Sequence, residues 1–77
     1  MKPEKVLTMA INTLTRWNDD VIEAGERCDL HAITQIQILK LALNDVAFNN
    51  GDKSKFRIGT REAIALAYAV LDIEDNA

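Results

Sequence analysis

Ala63-Ile64-Ala65-Leu66-Ala67-Tyr68-Ala69-Val70-Leu71 decides the fold class of this chain. Alanine alternates with larger apolar residues, which is the period of a β-strand, and the only polar group in the stretch is the Tyr68 hydroxyl. The alanines resolve the ambiguity, because alanine is the strongest helix former and is depleted in strands. Read as a helix over Arg61–Ile73, the segment is apolar on nearly every side. It is therefore expected to be buried nearly all round, with alanine permitting close approach of a neighbouring helix. Thr60 is the expected N-cap, with Arg61 and Glu62 in the first turn.

Working back along the chain, Leu30–Phe48 reads as a second helix with Asp29 as its N-cap. Ile36, Leu39, Leu43 and Val46 form its main apolar stripe. At 100° per residue, Leu30, Leu41 and Phe48 collect on a different side, flanked by Ile38 and Ile33, so the helix is apolar on two faces. Such a helix either lies at the centre of a three-helix unit or has one face covered by another subunit. Pro3–Ala24 reads as the first helix. Pro3 and Glu4 suit its opening turn, and Gly25 suits its end. Leu7, Ala10, Leu14, Trp17 and Val21 recur along one side, widened by Ile11 and Ile22. Asn12, Arg16, Asp19, Asp20 and Glu23 make the opposite, wet side. Trp17 belongs to the stripe, where core is the default; at the rim of the stripe it would anchor a partner.

The remaining connection is Asn49-Asn50-Gly51-Asp52 followed by Lys53-Ser54-Lys55-Phe56-Arg57-Ile58-Gly59. Asn and Gly tolerate positive φ, so the first four residues read as a turn. Phe56 and Ile58 alternate with Lys55 and Arg57, as in a short extended piece with both apolar side chains turned inward. A hairpin of Val46–Phe48 against Phe56–Ile58 is the weaker reading, because the helical pattern through Val46 is strong.

A chain of 77 residues makes one domain, spanning 1–77, and buries only about 60% of the surface its unfolded form exposes. A lone core of that size is marginal without a disulfide, a metal or a second subunit. One cysteine, Cys28, rules out an internal disulfide, and with one histidine, His31, the Cys/His sets of structural zinc sites cannot be assembled. Oligomerisation is the remaining aid. The longest apolar run has nine residues, against roughly 20 for a membrane-spanning helix, and the N-terminal stretch is interrupted by Thr8, Asn12, Thr13, Thr15 and Arg16, unlike a signal peptide. These features predict a cytoplasmic location and no membrane partner.

Catalytic chemistry finds no support in the residue pattern. Asp19, Asp20, Glu23 and Glu26 read as the polar side of a helix rather than as metal ligands. The turn at Gly51 fails as a calcium loop, because Val46 and Phe48 would occupy ligand positions and Arg57 that of the bidentate Glu. Cys28 has no base placed to activate it, and the only serine, Ser54, lies in a basic loop. No enzyme activity, catalytic residue, metal or cofactor is expected. Charge is less evenly spread than the net −3 suggests: Lys53, Lys55, Arg57 and Arg61 fall between residues 53 and 61 with no acidic residue among them. Next to a helix N-terminus such a cluster could grip an acidic protein or, as the weaker alternative, phosphate on nucleic acid or a nucleotide; the plainer reading is a solvated loop that balances acidic neighbours.

The sequence thus predicts an all-α fold, a compact three-helix unit with one longer basic connection, and a dimeric state. The expected function is protein binding, as a small adaptor, regulator or inhibitor. A background expectation for compact acidic chains of this kind is a phage or mobile-element factor acting on a host protein. Lys53, Lys55, Arg57, Arg61 and Trp17 are the candidate partner-binding residues. Leu30, Ile38, Leu41, Phe48, Leu66 and Val70 are the candidates for self-association.

Overall fold

A computed structural model describes residues 2–25 and 30–72; Cys28 and Asp29, to which the sequence reading gave roles, lie outside the described residues. Among the described residues three α-helices make the fold: α1 (Pro3–Glu23), α2 (Leu30–Phe48) and α3 (Ile58–Leu71), with a short 3₁₀ turn at Lys53–Lys55. The start of α1 faces the end of α2, since Pro3 and Glu4 line one groove with Val46 and Gly51. At the other end Leu14 and Trp17 meet His31, Ala32 and Val70. The helices therefore run up, down and up, and each packs on the other two.

The core is a short column at the centre of the three helices. Val6, Leu7 and Ala10 enter it from α1, Leu39, Ala42 and Val46 from α2, Ala63, Ala67 and Tyr68 from α3, and Phe56 from the connection. Leu7, Leu39, Val6 and Val46 are its largest fully buried side chains among the described residues. α1 is 21 residues long and α3 only 14, or about 31 and 21 Å at 1.5 Å per residue. α3 begins level with Asp45 and its Val70 lies level with Leu14 and Trp17, so among the described residues the last turns of α1 have no third helix beside them. This length difference corrects the default placement of Trp17, which is half-exposed instead of core.

The helix ends follow local chemistry. Gly25 leaves α1 at φ +83°, donating its N–H to the Ile22 carbonyl. α2 closes in a Schellman arrangement: Asn50 takes φ +53° and donates to Ala47, while Gly51 donates across five residues to Val46. α3 departs from expectation. It begins at Ile58, and Thr60 is buried inside the first turn instead of standing at the cap. Phe56 does turn inward, but Ile58 is 76% exposed, so the expected inward pair is half right. The expectation that α3 is buried nearly all round also fails: Arg61, Glu62, Ala65, Ala69 and Asp72 form an exposed side, and alanine makes that exposure cheap in apolar area.

Candidate functional site

Four of the exposed large apolar side chains among the described residues lie on the side of α2 that faces away from the core. Ile36, Leu39, Ala42 and Val46 point inward and are buried. On the opposite side Leu30 is 74% exposed, Leu41 69%, Phe48 85% and Ile38 43%. The second apolar face expected from the sequence thus exists, and nothing else among the described residues covers it. Leu66 and Val70, also expected to serve self-association, are half-buried against the core and belong to α3. The structure does not bring them to this face.

Beside Leu41 the face dips into a groove of about 340 Å³ walled by Ile38, Ala42 and Asp45 on one side and by Arg57, Gly59 and Thr60 on the other. Asp45 builds the junction. Its Oδ2 accepts the Arg57 backbone N–H at 3.1 Å and its Oδ1 accepts the Asn49 amide at 3.1 Å. These bonds, the Arg57 N–H foremost and then the Thr60 hydroxyl, hold the Asp45 carboxyl below the usual carboxylate range, with the Arg57 charge assisting. The carboxylate of α2 thereby does for the start of α3 what a local cap would do, since Arg57 at the cap position makes no side-chain hydrogen bond to the helix. Gly59 leaves the groove floor open: a methyl group added there would meet no atom within 4 Å.

The basic connection is exposed throughout at Lys53, Lys55, Arg57 and Arg61, but its charges are not all directed outward. Arg61 donates to the Lys53 carbonyl at 3.1 Å, pinning the connection to α3. Lys55 lies 3.9 Å from Asp52, whose other oxygen accepts both the Ser54 N–H and its hydroxyl. Lys53 lines a groove of about 790 Å³ at the start of α1 together with Lys2 and Glu4. Lys2 is a neighbour that the sequence separation concealed.

Trp17 sits at the opposite end, half-exposed over a hollow of about 350 Å³ that includes Leu14, His31, Gln35 and Val70. His31 is exposed and its Nε2 lies 3.2 Å from the Gln35 amide nitrogen. Among the described residues, no three His, Cys, Asp or Glu side chains are grouped to hold a metal ion, and no helix is long and apolar enough to cross a membrane. The expected surfaces are therefore not one site: the basic connection borders the α2 face at Arg57 and reaches the α1 start at Lys53, while Trp17 lies at the far end. Comparison with protein-family models, curated proteins and solved structures finds no match to the chain.

Proposed function

We propose that this chain is a protein-binding module, an adaptor, regulator or inhibitor that self-associates and presents its surfaces to another protein. The observation that carries this reading is the outer face of α2, where Leu30, Ile38, Leu41 and Phe48 stand exposed along one helix. Scattered exposed apolar residues are ordinary, but a row of them along one helix marks an interaction surface. Full burial of one such side chain is worth about 1.5–3 kcal/mol, so several together offset a substantial part of the cost of association. Trp17, half-exposed at the rim of its stripe, adds an anchor of the residue type that dominates binding energies. The test is affinity capture from the native host's lysate with mass spectrometry, comparing wild type with Leu41→Glu and Trp17→Ala. Retention of every specifically captured protein by both variants would defeat this reading.

The second reading is nucleic-acid binding through the basic connection. Its specific support is Lys2, which shares a groove with Lys53 and extends the cationic surface to the start of α1. Titration against duplex and single-stranded DNA at two salt concentrations tests it, because phosphate contacts make affinity fall steeply with salt.

A further inference from the structure

We propose that the outer face of α2 is covered by the same face of a second copy of this chain, the two α2 helices lying antiparallel about a two-fold axis level with Leu39. The proposal rests on the reading of that face as an interface and names its occupant. The supporting pattern is self-complementarity. A two-fold contact requires residue i to meet j while j meets i. Reversing α2 about position 39 sets Leu30 against the second copy's Phe48 and Thr34 against its Asn44. Ile38 and Leu41 then interleave with their own counterparts at the centre. Apolar side chains meet apolar ones at both ends and about the axis, where the exposed Gln37 of each copy stands against the other's Leu41.

Charge selects the antiparallel direction. Asp45 edges the face and is committed to the start of α3 through the Arg57 N–H. A parallel pair would set it beside its own counterpart, and its lowered pKa keeps it ionised. The antiparallel pair puts 12 residues between the two carboxylates, about 18 Å along the helix axis. Lys40, about 100° round the helix from Leu41, keeps its ammonium at the rim. The open floor at Gly59 leaves room beside Leu41 for an incoming side chain. The size of the chain points the same way: a core within 77 residues is marginal by itself, and a second subunit is one of the usual remedies.

The test combines sedimentation equilibrium with disulfide trapping in a Cys28→Ser background. Wild type is expected to sediment at twice 8.6 kDa at high micromolar concentration and to dissociate on dilution. Leu41→Glu should raise the dissociation constant by about 100-fold or more, because two carboxylates would be buried within about one helical turn of each other. Leu41 is 69% exposed, so far-UV circular dichroism should show the variant folded. On oxidation, a mixture of Leu30→Cys and Phe48→Cys proteins should give the mixed cross-link. Leu30→Cys alone should give almost none, since its two copies would stand about 27 Å apart, far beyond disulfide reach. Ready cross-linking of Leu30→Cys to itself would overturn the antiparallel arrangement. A monomer at sub-millimolar concentration would overturn self-pairing altogether. If Leu41→Glu then still weakens a captured protein partner, the face serves a different protein and the binding-module reading stands; if it changes nothing, both readings fall.

Discussion

The two sides of α2 carry the same kinds of residue and meet opposite fates. Inward, Ile36, Leu39, Ala42 and Val46 are 8%, 0%, 3% and 1% exposed; outward, Leu30, Leu41 and Phe48 are exposed by more than two thirds. Because apolar side chains lie on both sides, their contributions to helix asymmetry nearly cancel, although the helix is long and unbroken. Periodicity therefore reveals how many apolar faces a helix has. It does not reveal what covers them. The inner face is settled within the chain by Val6, Leu7, Ala63 and Ala67, whereas none of the described residues covers the outer face.

The sharpest way to test that division is to make one substitution on each side. Leu39→Ala removes a fully buried side chain from a close-packed column and should cost about 2–5 kcal/mol, a large share of the stability of a small domain. Leu41→Ala, made in dilute protein, should stay within about 0.5 kcal/mol. Urea unfolding monitored by circular dichroism checks both. The comparison breaks if Leu41→Ala costs as much as Leu39→Ala at every protein concentration.

Asp45 stands on the border between the two faces and gives the next largest effect. Its pKa is lowered in the folded state, chiefly by the Arg57 N–H, from an ordinary value of 3.8. A depressed carboxylate pKa contributes stability that is fully present above the unfolded-state value and is lost as pH falls through the folded-state value. Asp45→Asn should therefore have a lower Tm than wild type at pH 7. The gap should start to close as pH drops below about 4, where the carboxyl of the unfolded chain takes up its proton, and close fully only once pH has fallen through the lower folded-state value. A gap that stays constant from pH 7 to acid would show that the charge of Asp45 does not contribute to holding α3.

Asp45 also explains what the sequence concealed. The spans of α1 and α2 and the turn at Asn50-Gly51 were legible because their signals are local: Pro3 and Gly25 at the ends of α1, apolar periodicity in both helices, and residues that tolerate positive φ at the turn. The start of α3 was not. Its first turn is anchored by a carboxylate 12 residues back on another helix, so Thr60 drew attention as a local cap while it was in fact buried beside that carboxylate. Trp17 was misplaced for a similar reason. Its stripe is regular, but whether a residue on a stripe is buried depends on how far the neighbouring helix extends, and α3 stops level with it. Of the candidate surfaces, the outer face of α2 could be read from angular spacing alone. The neighbourhood of Lys2 and Lys53 and the bond from Arg61 to the Lys53 carbonyl needed three dimensions.

Gly59 offers a gentler test on the outer side. It lies within α3 without a positive φ, and a Cβ there meets nothing within 4 Å. Gly59→Ala should therefore stabilise the isolated chain by about 0.5–1 kcal/mol, through the smaller entropy of its unfolded state. In the paired state the same methyl group would intrude on the groove beside Leu41, so the gain should shrink as protein concentration rises. Thermal melts over a concentration series measure both. A gain that is the same at all concentrations would mean that the groove is empty in solution.

The smallest effect on stability is expected in the basic connection, which touches the core only through Phe56. Lys55→Glu/Arg57→Glu changes the local charge by four units, while the hydrogen bond that matters to α3 is made by the Arg57 backbone N–H and survives the substitution. Arg61 keeps its bond to the Lys53 carbonyl. Stability should fall only slightly, through loss of the Arg57 charge beside Asp45 in an exposed, well-screened setting. Binding to an acidic partner, in contrast, should weaken strongly at low salt and converge toward wild type as salt rises, because complementary charges act mainly on association and are screened within about 10 Å at 0.1 M. If the double variant instead unfolds, the Lys55 and Arg57 side chains hold the connection in place. If it keeps full affinity at every salt concentration, recognition belongs to the apolar surfaces, and the contrast between the two sides of α2 carries the functional reading alone.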